Sequence, residues 1–150
     1  MTVIAWDGRT LAGDKRTSYG GLHATTTKVH RLPDGRLFAG CGATALIQEM
    51  RQWLVDGADP AKFPSAQRVA ADNCSALVVE LDGTLSQYET TAYPLRIENR
   101  QWAIGSGRDF AVMAMHLGKT AAEAVLLTAQ FCHDCGNGVD TVELVREASA

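Results

Sequence analysis

The first half of the chain is a series of short apolar, β-favouring runs broken by polar Asp-Gly pairs. Thr2-Val3-Ile4-Ala5-Trp6 and Thr10-Leu11-Ala12-Gly13 flank Asp7-Gly8, while Thr27-Lys28-Val29-His30-Arg31-Leu32 and Arg36-Leu37-Phe38-Ala39-Gly40 flank Pro33-Asp34-Gly35. Ser75-Ala76-Leu77-Val78-Val79-Glu80-Leu81 and Thr84-Leu85-Ser86-Gln87-Tyr88 flank Asp82-Gly83. Both turn residues of a tight hairpin must tolerate positive φ, which Asp-Gly does, so the pattern predicts three antiparallel hairpins.

The period changes after Gly42. Leu46, Ile47, Met50, Trp53 and Leu54 recur at helical spacing, and Gly57 closes the run. A second helix is predicted over residues 107–117, with Phe110, Ala111, Ala114 and Leu117 on one side. Thr120 and Glu123 form a capping box ahead of a third, which carries Val125, Leu126 and Ala129. A last strand over residues 139–145 follows Gly136-Asn137-Gly138. Residues 56–73 give the weakest pattern, because Pro60 and Pro64 break any long helix there. Strands and helices arriving in separate blocks predict an α+β layered fold, not a doubly wound parallel sheet. One domain over residues 1–150 is expected.

Composition narrows the partners. The chain has 150 residues, 46% hydrophobic and 21% charged, with a net charge of −3. That length suits one ordinary domain with a sizeable core. Neither a basic patch nor an acidic tail is present, so no nucleic-acid partner is expected. No apolar run approaches the ~18–20 residues of a membrane helix, and the start lacks the pattern of a secretory signal. The expectation is a cytoplasmic protein without a membrane partner. Its cysteines, Cys41, Cys74, Cys132 and Cys135, are then reduced thiols. Cys132-His133-Asp134-Cys135 invites a metal or redox reading, but zinc wants about four ligands. Only this one pair exists, with Cys41 and Cys74 isolated in other elements. A redox dithiol belongs at a helix N-terminus, whereas this pair ends a predicted helix. No metal and no cofactor are expected.

The first two residues carry the candidate chemistry. Methionine is routinely excised before a small residue, and excision would give Thr2 both a free α-amine and a hydroxyl. With an unperturbed pKa of about 7.7–8, that amine can take the hydroxyl proton near neutral pH. A threonine at position 2 alone more often just opens a strand.

Its surroundings carry a resemblance. Thr2-Val3-Ile4-Ala5 and Thr10-Leu11-Ala12-Gly13-Asp14-Lys15-Arg16-Thr17 resemble the opening of proteasome β subunits and the heat-shock-locus V peptidase. Asp14-Lys15-Arg16 matches the Asp-x-Arg element of that family, and Lys28-Val29 matches its Lys-Val strand. Arg36-Leu37-Phe38-Ala39-Gly40-Cys41-Gly42 is similar to the following strand and Gly-rich turn, and Ala103-Ile104-Gly105-Ser106-Gly107 to the turn before a helix. Asp134 to Gly138 resembles Asp-x-x-Ser-Gly, with Asn137 where serine is usual. These landmarks stand in family order over most of the chain, which would be a short bacterial or phage-type member.

The resemblance implies a four-layer α-β-β-α sandwich of two antiparallel sheets with helices outside. It implies a threonine peptidase in which Thr2 is nucleophile, Lys28 favours its alkoxide and Asp14 holds that lysine charged. Gly42 would donate its N–H to the oxyanion, and Ser106 would bond the α-amine. Asp134 would lie near Thr2, with Asn137 supporting the cluster through backbone or amide. Gly40 and Cys41 would line a small or neutral substrate pocket. Where the family has paired glycines, this chain has Gly40-Cys41-Gly42-Ala43. Peptide or polypeptide substrates, a homo-oligomer of stacked rings and an ATP-dependent unfoldase partner are implied with it. Two other readings stay open: a catalytically silent assembly subunit, and an amidase using the same machinery on a non-peptide amide.

Overall fold

The structure is a computed structural model that describes residues 2–146. Met1, whose removal the chemistry above requires, lies outside the described residues. All three Asp-Gly hairpins form: β1 (Val3–Trp6) with β2 (Thr10–Asp14), β5 (Val29–Arg31) with β6 (Leu37–Cys41), and β7 (Ser75–Val79) with β8 (Leu85–Tyr88). In the first turn Gly8 takes φ +98° and the Asp7 carboxylate accepts from Arg9 and Thr10 N–H, which is why Asp-Gly suits it. A fourth hairpin was not anticipated: β3 (Arg16–Tyr19) and β4 (Leu22–Thr25) pair with each other alone. Two short strands follow β8: β9 (Leu95–Ile97) and β10 (Trp102–Gly105).

The pairings are antiparallel and build a four-stranded sheet, β10-β1-β2-β11, and a five-stranded sheet, β5-β6-β7-β8-β9. The last strand, β11 (Val139–Glu143), stops two residues short of its predicted end. Helices α1 (Thr44–Val55), α3 (Arg108–His116) and α4 (Ala121–Phe131) lie where helical spacing put them. Thr120 and Glu123 close the reciprocal capping box at the start of α4. Residues 56–73, the weakest reading, hold a 3-10 turn at Pro60–Lys62 and the short α2 (Ala66–Ala71).

Three apolar clusters follow from the faces of these elements. Ile4, Trp6, Leu11 and Ile104 of the four-stranded sheet meet Val29, Leu37, Leu77 and Leu85 of the five-stranded one. Phe38, Ala76 and Val78, on the other face of the latter sheet, pack with Leu46, Met50, Trp53 and Val69 of α1 and α2. Val3, Ala5, Ala12 and Ala103 pack with Ala111, Met115, Ala121 and Val125 of α3 and α4. The sheets thus alternate apolar residues on both faces, a pattern of strands covered twice.

This arrangement gathers strand ends. Thr2 precedes β1, Asp14 closes β2, Lys28 precedes β5 and Gly105 closes β10. Register fixes their company: Ile4 pairs with Gly13, Val3 with Gly105, and Val139 with Asp14. Gly13 has a packing reason. A Cβ there would press on Ile4 and Val29 at about 3 Å, so only glycine lets β2 approach β5 closely enough for Lys28 to meet Asp14.

Candidate active site

Asp14 is wholly buried and fully engaged. Its Oδ1 accepts from Val3 N–H at 3.1 Å and Lys28 Nζ at 2.8 Å; its Oδ2 accepts from Arg16 N–H at 3.2 Å and Gly136 N–H at 3.0 Å. Four donors stabilise a buried carboxylate that would otherwise be costly. Lys28, whose side chain is 9% exposed, also donates to Thr2 Oγ1 at 3.1 Å. Thr2 itself is buried, 6% exposed. Its carbonyl accepts from Gly107 N–H at 3.2 Å and Ser106 Oγ at 3.4 Å, which fixes the residue's orientation. Gly105, at φ +95°, lies against that carbonyl so closely that no Cβ would fit.

The Ser106 hydroxyl thus meets the Thr2 carbonyl, and Gly107 holds the cap position of α3 without any side-chain cap bond. Gly42 faces Thr2 across two adjoining clefts and adopts φ +115°. An added Cβ would stand 2.5 Å from Cys74 Sγ, so the turn between β6 and α1 requires glycine on two grounds. Cys74 in turn accepts from Ala43 N–H at 3.2 Å, and burial pushes its thiol pKa up.

The Asn137 side chain is turned away from the cluster. Asn137 directs its amide to the β3–β4 hairpin, donating to Ala24 O at 3.3 Å and Thr25 Oγ1 at 3.1 Å and accepting from Arg16 Nε at 3.0 Å. Its neighbour Gly136 supplies the donor to Asp14 instead. Among the described residues no hydrogen bond or ion pair joins Asp134 to Thr2. Instead Cys135 packs nearby; burial above all, then its bond to Cys132 and the charge of Asp14, pushes its thiol pKa up to about 12. These surroundings favour the thiol over the thiolate.

The substrate-side expectation needs two corrections. Gly40 lines the first cleft, but Cys41 points the other way into the second, because neighbouring strand residues face opposite sides. The first cleft is small, about 120 Å³, but it is not neutral: Thr2, Lys28, His30, Gly40, Thr44, Gln48 and Arg51 are among the residues that line it. His30 and Arg51 were missed. The available signal was the spacing of Thr44, Gln48 and Arg51, one polar face of α1 beside its apolar one. Cys41 and Cys74 are also not isolated: Cys41 pairs in register with Ser75, which sets Cys74 at its side. Among the described residues no three His, Cys, Asp or Glu side chains gather as a metal site requires, and no helix is long and apolar enough to cross a membrane.

Two antiparallel sheets flanked by helices, with a buried lysine–aspartate pair beneath a threonine at the head of the first strand, define a narrow structural class. The chain carries the fold of the proteasome and heat-shock-locus V group. Thiobacillus denitrificans BPH in complex with epoxomicin matches with a TM-score of 0.70 and 17% identity, covering 97% of this chain and 100% of that one. Thiobacillus denitrificans BPH alone gives 0.68 and 18%, covering 97% and 99%; eukaryotic HslV from Trypanosoma brucei gives 0.66 and 18%, covering 95% and 97%. No protein-family profile and no curated protein sequence matches the chain.

Proposed function

We propose that Met1 is removed and that the chain then works as an N-terminal threonine peptidase, one domain over residues 1–150 built as a four-layer α-β-β-α sandwich. The observation that carries this reading is the bridge from Asp14 through Lys28 to the Thr2 hydroxyl, at 2.8 and 3.1 Å, opening on a cleft that crosses Gly42. A buried ammonium held by a carboxylate favours the alkoxide of the hydroxyl it touches. The fold shared with a protein bound to epoxomicin supports the same reading.

Thr2 Oγ1 adds to the amide carbonyl carbon while its proton passes to the liberated α-amine. The carbonyl oxygen takes the negative charge and accepts from Gly42 N–H. The C–N bond then breaks, the leaving amine takes the proton, and the acyl group stays on Thr2 as an ester. Water, deprotonated by the α-amine, cleaves that ester and frees the threonine. Asp14 holds Lys28 against the Thr2 hydroxyl, and Ser106 with Gly107 holds the Thr2 carbonyl. We place the protein in the cytoplasm as a homo-oligomer of stacked rings acting on peptides or unfolded polypeptides, with an ATP-dependent unfoldase as feeder.

Intact mass after incubation with epoxomicin tests this directly. The expected product is a chain lacking Met1 and carrying one inhibitor, absent from Thr2→Ala, which also hydrolyses no fluorogenic peptide. Equal hydrolysis by wild type and Thr2→Ala would overturn the assignment.

A further inference from the structure

We infer that the cleft between α1 and β5–β6 selects an acidic side chain on the residue whose carbonyl Thr2 attacks, with Arg51 as the residue that reads it. This rests on the hydrolase reading above and names its substrate class.

The argument starts from charge. Every charged group lining this cleft is basic or becomes so on protonation: Lys28, His30 and Arg51. No aspartate or glutamate lines it. The acidic groups nearby are already paired, Asp14 with Lys28, Asp140 with Lys15 and Glu49 with Arg68. Lys28 is committed to Asp14 and Thr2. Arg51 is half-buried, and among the described residues no carboxylate lies within ion-pair distance of it. A guanidinium partly withdrawn from water and facing a cavity favours a ligand that brings a carboxylate, which its planar donors can grip in two places.

The remaining lining fits that ligand. Burial first, then the field of Arg51, lowers the pKa of His30, which disfavours a further positive charge on the ring beside Arg51. Thr44 and Gln48, two turns and one turn before Arg51 on the same face of α1, add neutral donors along the wall. Phe38 and Ile47 provide apolar surface for the methylenes of a glutamate side chain. Glycine at position 40 lets Ile47 pack directly against β6, since a Cβ there would collide with its side chain.

Matched fluorogenic peptides that differ only in Glu, Gln, Lys or Leu at the cleaved residue test the inference. Wild type is expected to prefer Glu over its isostere Gln about tenfold or more in kcat/KM, as charge-assisted hydrogen bonds imply. Arg51→Gln should reduce that ratio by about tenfold, and Arg51→Glu should turn preference toward Lys. Arg51→Lys keeps the sign of charge and should retain part of the ratio. Equal cleavage of the Glu and Gln peptides by wild type, while epoxomicin still modifies Thr2, overturns the acidic specificity and leaves the hydrolase standing. Neither an adduct nor hydrolysis of any peptide overturns both. Should the Arg51 variants not fold, the Glu-to-Gln ratio of the wild type decides alone.

Discussion

At the scale of single residues the molecule separates two kinds of ion pair by burial. Lys28 and Asp14 are 9% and 0% exposed, and each holds further hydrogen bonds. Removing one partner strands a buried charge, which costs about 3–5 kcal/mol. Lys28→Met and Asp14→Ala are therefore each expected to lower stability by about that amount in urea unfolding and to abolish peptide hydrolysis. The double variant should lose less than the sum of the two, because the residues share one interaction. Arg9 and Glu143, at 78% and 57%, make the contrasting case. Water screens that pair, and Arg9→Ala should cost under about 1 kcal/mol. Asp14 and Lys28 were legible in the sequence because they sit in short motifs with fixed spacing. Arg51 was not, since nothing local distinguishes a cleft-facing arginine from any other polar helix residue. Asn137 misled for a related reason: a match in sequence order says nothing of where the amide turns. Its φ of +63° suits the turn before β11, and its side chain serves Arg16 and β4.

At the scale of elements, legibility tracked how local the signal was. Asp7-Gly8, Asp34-Gly35 and Asp82-Gly83 each set a hairpin from two residues, and all three formed. The β3–β4 hairpin also had a two-residue turn, Gly20-Gly21, a recognised hairpin pair. Its flanks, however, leave Tyr19 82% and Leu22 73% exposed, so no inward-facing alternation marks the strands. β9 and β10 are short neighbours that enter different sheets, a tertiary choice absent from local pattern. The turn from β6 into α1 yields a sharper prediction. Gly42→Ala meets both an unfavourable φ and the Cys74 side chain, so Gly42 must move and its N–H with it. Hydrolysis should fall roughly 100-fold, the scale of losing one oxyanion donor. The α4 cap offers the opposite case. Thr120→Ala removes a reciprocal bond far from Thr2, so thermal denaturation should register about 1 kcal/mol of lost stability while kcat/KM holds.

At the scale of the whole molecule, the shifted groups bound a pH window for the fold. The folded pKa of His30 lies below its ordinary 6.5 through burial and the Arg51 charge. Below that pH the unfolded chain binds a proton that the native chain refuses, so stability falls as pH drops. Asp34 extends the same limb at lower pH: its carboxyl, held below 3.8 by Arg36, must be protonated on unfolding in acid. The alkaline side has the reverse cause. Burial raises Cys135 from 9.0 to about 12 and pushes Cys74 and Tyr88 upward too. The native chain keeps those protons after the unfolded chain has lost them, so stability drains away as pH rises from about 9 toward 12. A thermal melting series should thus show a plateau between about pH 6.5 and 9 with a decline on each side. Cys135→Ala should flatten the alkaline decline and leave the acid one in place. An unchanged alkaline limb in that variant would mean that Cys135 titrates alike in the folded and unfolded chains. The polar end of the third apolar cluster, where Cys135 adjoins Asp14, would then be wetter than its burial in the fold requires.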